Sequence, residues 1–255
     1  MAMAMDTVIN STRRSAYSNV SGFSEGIGIR KEKMEKQFMR KDVINNGVKY
    51  YVEERKFYNI IKRVFDFTVA VLFVVVFFWL FLGIAIAIKI DDGGPVFYVS
   101  NRVGIFGREF KFYKFRSMRV DADEIFESIK DQNETEGELF KMKKDPRVTR
   151  VGRFLRRTSM DELPQFFNII KGDISFVGPR SPLPREVVNY TDYSMQRLSV
   201  IGGLTCYWQI SGRSEIDFSG MVDLDYKYIK DRSVLTDLKI LIRTPLAVIR
   251  GDGAY

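Results

Sequence analysis

The residues best suited to chemistry lie in one stretch, Leu155 to Gln165. There Arg156 and Arg157 run through Thr158 and Ser159 into the adjacent carboxylates Asp161 and Glu162, with Pro164 close behind. An ionised Asp can act as a nucleophile, and a neighbouring Glu can hold a hard cation. The stretch reads as the start of a helix, and two caps are open. Ser159 with Glu162 fits a capping box. Asp161 as N-cap instead puts Pro164 in the first turn, where its missing N–H costs no hydrogen bond, and the proline favours this second cap. Either cap sets a carboxylate at a positive helix end beside arginines, which should keep it ionised at neutral pH. On local sequence alone, a cap with solvated arginines is the commoner meaning of such a string.

Composition narrows the chemistry. The 255 residues contain no histidine, so the usual general base and the usual zinc ligand are missing. A single cysteine, Cys206, excludes a disulfide within the chain and a Cys-rich metal site, in keeping with a reducing compartment. Acid–base or nucleophilic work therefore falls to carboxylates, with magnesium the fitting metal. Forty basic side chains against 32 acidic ones, a net charge of +8, suggest an anionic partner: a phosphate-bearing substrate, anionic lipid or nucleic acid. No Walker loop, Rossmann fingerprint, internal repeat or low-complexity tract is present.

Three segments must position these residues. Residues 1–57 read as a flexible polar N-terminal segment, although Tyr50, Tyr51, Phe57 and Tyr58 suggest some ordered contact near a membrane surface. Residues 58–92 hold a membrane helix and its flanks, because Val64 to Ile88 is apolar apart from Asp66 and Thr68 and long enough to cross a hydrocarbon core. Lys56, Lys62 and Arg63 precede it and a basic domain follows, so both flanks belong in the cytoplasm. A bent helix that enters and leaves by the same face satisfies both, whereas a simple span does not. No proline interrupts the run, and Gly83 is its only small breaker.

Residues 93–255 form the third segment. Val96 to Ser100 and Phe110 to Met118 resemble strands flanking a Gly104/Gly107 turn. The second interleaves Lys111, Lys114 and Arg116 with aromatics. That pattern could stack bases, but without a recognition helix it better suits a basic face at an anionic membrane, so no nucleic acid is expected. Asp121 to Lys144 reads as a charged surface helix and loop. Arg147, Arg150, Arg153, Arg156 and Arg157 line a helix that leads to Asp161, as a solvated stripe or opposite a diphosphate. Phe166 to Ile170 give a helical apolar face closed by Lys171 and Gly172, with a short strand from Ile174 into Pro179 and Arg180. Leu235 to Arg250 is amphipathic, and packing against the core competes with a membrane-surface role.

Several motifs then coincide: Lys62-Arg63-Val64-Phe65-Asp66, Gly94-Pro95-Val96-Phe97, Tyr113-Lys114-Phe115-Arg116-Ser117-Met118, Asp161-Glu162-Leu163-Pro164-Gln165, and Phe167-Asn168 through Lys171-Gly172-Asp173 to Gly178-Pro179-Arg180. Trp208-Gln209, Ser211-Gly212-Arg213 and Asp237-Leu238-Lys239 continue the series. Over roughly residues 60–255 the chain resembles the bacterial sugar transferases, the monotopic polyprenyl-phosphate phosphoglycosyltransferases.

The resemblance implies an α+β, mainly helical fold. A membrane-embedded, re-entrant N-terminal helix would join a compact cytoplasmic catalytic domain with short strands and amphipathic surface helices. It implies that Asp161 attacks the sugar-bearing phosphorus of a UDP-sugar, releasing UMP, and that the phosphosugar then passes to polyprenyl (undecaprenyl) phosphate at the cytoplasmic face of the bacterial inner membrane. Asp161 and Glu162 would hold Mg2+, and Arg156 and Arg180 would bind phosphate. Lys114, Arg116, Arg213 and Asp225 would line the substrate pocket. UDP-sugar, polyprenyl phosphate and membrane lipid are the implied partners, with a homo-oligomer left open. Three features depart from the family pattern: the Ser-Pro break of the apolar helix is missing, Pro-Arg-Pro reads Pro179-Arg180-Ser181-Pro182, and Pro-Gly reads Gly202-Gly203. The alternative is a non-catalytic, membrane-anchored basic binding protein, indifferent to Asp161 and Glu162.

Overall fold

The computed structural model describes residues 41–45, 47–129, 142, 145–211 and 216–250. Strands β1 (Lys41–Asn45) and β2 (Val48–Val52) form an antiparallel hairpin. Tyr50 of β2 is buried against Val103, Val187, Tyr190 and Leu198. Gln196 fastens the backbone beside it, accepting from Tyr51 N–H at 2.9 Å and donating to the Lys49 carbonyl at 2.7 Å. The flexible segment expected through residue 57 is therefore corrected over its last part, because two buried tyrosines tie the hairpin down. Residues 1–40 lie outside the described residues.

The apolar run forms two helices, α1 (Lys56–Val76) and α2 (Phe78–Asp92), bent by 63°. Among the described residues no single helix is long and apolar enough to cross a membrane, but the bent pair together is by length and composition. The bend falls at Phe77 instead of Gly83, and no proline makes it. Its cause is tertiary packing, since both arms press aromatic rings onto one short helix, α5 (Gln165–Lys171). Phe73 of α1 stacks on Phe166 at 4.2 Å, and Phe81 of α2 meets Phe167 edge-on at 5.9 Å. The basic flank also has structural work. Lys62 pairs with Asp237 at 2.7 Å, and Arg63 donates to the carbonyls of Ile169 and Ile170, capping the end of α5.

β3 (Phe97–Val103) and β4 (Glu109–Phe115) pair antiparallel across a turn containing Gly104 and Gly107, as their alternation predicts. α3 (Ala122–Ile129) begins the expected charged surface segment, most of whose remainder lies outside the described residues. α4 (Arg150–Arg157) precedes the dyad and α5 follows it. α5 ends at Gly172, whose φ of 85° suits glycine and lets its N–H reach the Asn168 and Ile169 carbonyls. β5 (Ser175–Val177) then runs parallel to β6 (Gly203–Thr205). Short helices α6 (Pro184–Val188) and α7 (Asp192–Met195) pack toward β3 and β2, and Tyr207 and Ile210 of α8 (Tyr207–Ser211) pack on the cluster that holds Val177. α9 (Phe218–Asp231) and α10 (Val234–Arg250) close the described chain.

The architecture is mostly helical with three two-stranded sheets among the described residues. Its core joins α1, α5, β5 and α10 through Ala70, Phe166, Ile169, Ile174, Val177 and Ile240. Each large aliphatic side chain buried there is worth about 1.5–3 kcal/mol. α10 packs Ile240 against the core, while Leu235, Leu238, Ile242 and Leu246 remain exposed. Asn168 fixes α5 to the sheet. It accepts from Tyr113 N–H and donates to the Lys111 carbonyl and Asp173, so the helix behind the dyad and strand β4 move as one.

Candidate functional site

Asp161 and Glu162 lie in a 3-10 turn, Met160–Glu162, wedged between α4 and α5. Neither expected cap forms. Ser159 precedes the turn in the left-handed region, φ 55°, with no side-chain cap, and Pro164 is the residue that starts α5. Left-handed backbone at a non-glycine residue costs about 1–3 kcal/mol. It reverses the chain after α4 and drives Asp161 inward, leaving it only 9 % exposed.

Lys114 reaches across from β4. Its Nζ donates to Glu162 Oε1 at 2.7 Å and stands 3.6 Å from Asp161 Oδ2, so one ammonium bridges both carboxylates. Arg156 comes from the last turn of α4. Its Nε donates to Ser117 Oγ at 2.9 Å, and its charge acts on Asp161. Of the expected arginine stripe Arg150, Arg153 and Arg157 stay exposed, Arg147 folds back onto Asp145 at 2.6 Å, and Arg156 turns toward Asp161. α4 sits this close to β4 because Gly152 has no side chain: a Cβ there would lie 2.0 Å from the Ser117 carbonyl oxygen.

The two carboxylates are pushed apart. Burial, reinforced by the Glu162 charge, raises Asp161 above its ordinary value against the pull of Lys114 and Arg156. Burial would raise Glu162 as well, but Lys114, helped by Arg180 and Arg102, carries it below. The helix-end position expected for Asp161 is thus corrected. It is not at a helix N-terminus, and Glu162 is the member held low. A raised carboxylate is the more basic of the pair and the better nucleophile once ionised.

The remaining expected residues divide. Arg180 stands close enough to stabilise the Glu162 charge. Arg116 turns away, donating to the Met118 and Arg119 carbonyls and lying 3.8 Å from Asp92 at the end of α2. Asp225 is buried in an ion pair with Arg197 at 2.5 Å, and burial lifts its carboxyl to about 6 despite that partner. Its place in the substrate pocket is therefore corrected to a structural one, since a long-range arginine claims it. Arg213 lies outside the described residues. Two participants were missed. Ser117 orients Arg156, and Arg102 projects from the same face of the β3–β4 ladder as Lys114 to act on Glu162. Alternation alone marks Arg102 as facing one side, but only the strand register shows that Lys114 shares it.

Lys114, Arg156, Arg102 and Arg180 outnumber the dyad carboxylates, even with Glu186 counted. Such a site suits a phosphate ester or diphosphate. Among the described residues no three His, Cys, Asp or Glu side chains gather into a metal cage. Two adjacent carboxylates are what Mg2+ asks of a protein when substrate phosphates supply other ligands.

A family model described as "Bacterial sugar transferase" matches residues 57–251. A galactosyl transferase CpsE of Streptococcus agalactiae is 43 % identical over 225 residues, covering 88 % of this chain and 49 % of its own. An undecaprenyl-phosphate galactose phosphotransferase of Salmonella typhimurium is 40 % identical over 199 residues, 76 % of this chain and 42 % of its own. The exopolysaccharide production protein ExoY of Rhizobium meliloti is 40 % identical over 198 residues, 76 % of this chain and 88 % of its own. The chain thus spans about half the length of the first two relatives and most of the third.

Proposed function

The chain belongs to the bacterial sugar transferase family, and from that premise we propose that it moves a sugar-1-phosphate from a UDP-sugar to polyprenyl (undecaprenyl) phosphate. An Asp161 oxygen attacks the sugar-bearing phosphorus. The bond from that phosphorus to the bridging oxygen breaks, and UMP leaves with the electron pair. An oxygen of the acceptor phosphate then attacks the same phosphorus, freeing Asp161 and yielding a polyprenyl diphosphosugar. This would be the first membrane step of exopolysaccharide, capsule or glycoconjugate synthesis. The supporting observation is the buried Asp161 beside a lysine-bridged Glu162, in a site where cations exceed anions.

Phosphoryl transfer needs positioned positive charge more than an acid–base histidine, so the histidine-free composition is no obstacle. Arg156, oriented by Ser117, would neutralise the phosphoryl group under attack, while Lys114 keeps Glu162 ionised. Glu162 and Asp161 are the residues that would hold Mg2+, whose charge offsets that of the phosphates when bound. The bent α1–α2 pair, with Val75, Val76, Phe78 and Trp79 exposed around its elbow, would embed in the cytoplasmic leaflet of the bacterial inner membrane. That depth brings a lipid-borne acceptor to the dyad. The relatives' names, which include undecaprenyl-phosphate phosphotransferases for galactose and N-acetylgalactosamine, support this acceptor class.

The test is nucleotide release from UDP-sugars with magnesium. UMP should appear with the unaltered protein, and chelating the metal or substituting Asp161→Asn should stop it. Release of UDP would make the chain a classical glycosyltransferase, and equal release from Asp161→Asn would reject the nucleophile.

A further inference from the structure

α2 carries a strip of exposed apolar side chains, Trp79, Leu82, Ile86 and Ile90, whose spacing of three or four sets them along one face from the elbow to the last turn. There the helix turns polar: Lys89, Asp91 and Asp92 flank Ile90, which is nevertheless 81 % exposed. Where the strip ends, a cavity of about 760 Å³ opens between α2 and α4. Ala87 and Ile90 line it from α2, and Val148, Arg150, Val151 and Arg153 line it from α4 and the residues before it. Asp91 Oδ2 accepts from the Val151 N–H at 2.9 Å, so the two sides are tied together and the cleft is already formed.

The charges lining the cleft do not balance. Arg119 is there too, but Asp121 holds it through hydrogen bonds of 2.8 and 2.9 Å. Asp91 has the Val151 N–H, and Asp92 lies 3.8 Å from Arg116. Arg150 and Arg153 have nothing comparable. Both are exposed, and among the described residues neither has a carboxylate within ion-pair distance. Three positions apart on one helix, they present neighbouring guanidinia, with half-exposed Phe154 beside them. Two uncompensated cations against an apolar wall, at the level where α2 turns polar, match a molecule with an anionic head and an apolar tail.

We propose that this cleft binds an anionic phospholipid of the cytoplasmic leaflet, with the headgroup phosphate on Arg150 and Arg153 and the start of an acyl chain along Ala87 and Ile90. This rests on the embedding of α1 and α2 proposed above. A zwitterionic lipid carries the same phosphate with a cation attached, which the two arginines repel, so a net-negative head is favoured. Arg150 opens the helix whose last turn carries Arg156, so a bound head also holds that helix at the membrane surface.

The experiment reads which lipid sits at position 90. The full chain carrying Trp79→Phe and Ile90→Trp is placed in mixed vesicles of phosphatidylcholine and phosphatidylglycerol, with one or the other brominated on its acyl chains, and tryptophan quenching gives the ratio of the two lipids at that site. Trp208, common to every sample, sets the background. Each arginine near the surface is worth about fivefold in affinity for an anionic lipid, so phosphatidylglycerol should be preferred by about 5- to 25-fold. Arg150→Gln with Arg153→Gln should bring the ratio close to one. Lys239→Gln with Arg243→Gln, an equal loss of charge on α10, should leave it unchanged, and so should polyprenyl phosphate at low mole fraction. Thermal unfolding checks each variant, and if the double Arg150/Arg153 variant does not fold, either single substitution decides by lowering the ratio about fivefold. A ratio near one with both arginines present overturns the site while leaving the embedding intact. An equal fall in the α10 variant reduces the preference to general surface attraction and overturns it too, and displacement of phosphatidylglycerol by polyprenyl phosphate gives the cleft to the acceptor instead. Quenching by neither brominated lipid sinks the embedding of α2, and this site with it.

Discussion

The electrostatic arrangement around Asp161 predicts that two neighbouring substitutions shift its titration in opposite directions. Lys114 Nζ is 3.6 Å from Asp161 Oδ2. Coulomb's law at that distance gives about 1 kcal/mol with water-like screening and about 5 kcal/mol at an effective dielectric of about 20. Removing the ammonium by Lys114→Met therefore makes Asp161 harder to ionise, moving the acid limb of the rate upward by roughly one to three pH units. Glu162→Gln does the reverse. It removes the anion that helps raise Asp161 and frees Lys114 to pair with it, so the limb moves down. The sign follows from the reactive form: only ionised Asp161 attacks, so activity is lost as pH falls through its titration. The assay is the initial rate of UMP release between pH 4 and pH 9 in nanodiscs at saturating UDP-sugar and magnesium. Both variants will be slower, but the limb position is independent of the plateau. Limbs that stay in place, or move the same way in both variants, would refute the proposed coupling.

Two further outcomes test the scaffold. Gly152→Ala places a Cβ on the Ser117 carbonyl, so α4 must retreat. It should cost about 1–3 kcal/mol in denaturant unfolding and slow UMP release by displacing Arg156 from Ser117. Arg197→Met leaves Asp225 buried and unpaired. It should destabilise the fold by about 3–5 kcal/mol, measured by the same unfolding, without moving the acid limb of the protein that remains folded.

How far the sequence carried the structure depends on the range of the forces involved. Helix α5 was legible because its apolar face and the Gly172 stop are local signals, and β3 with β4 because their alternation is local too. The dyad stood out through residue type, and family motifs overrode the plainer cap explanation. What failed was set by distant partners. The elbow at Phe77 exists because Phe73 and Phe81 each dock on α5, about ninety positions further along the chain, and nothing near residue 77 announces it. Asp225 was misassigned because Arg197 pairs with it across a fold the sequence does not display. Asp161 entered a strained turn in place of an N-cap because tertiary burial outweighed the local cap preference at Ser159.

The most direct measurement of the central claim is trapping the phosphosugar on the protein. The chain is incubated with donor labelled in its sugar-bearing phosphate, without acceptor, then quenched and digested. The account predicts one labelled peptide, carrying the phosphosugar on Asp161, and loss of that label when polyprenyl phosphate is added before quenching. Transfer to the acceptor at full rate with the label never attached to Asp161 would contradict it.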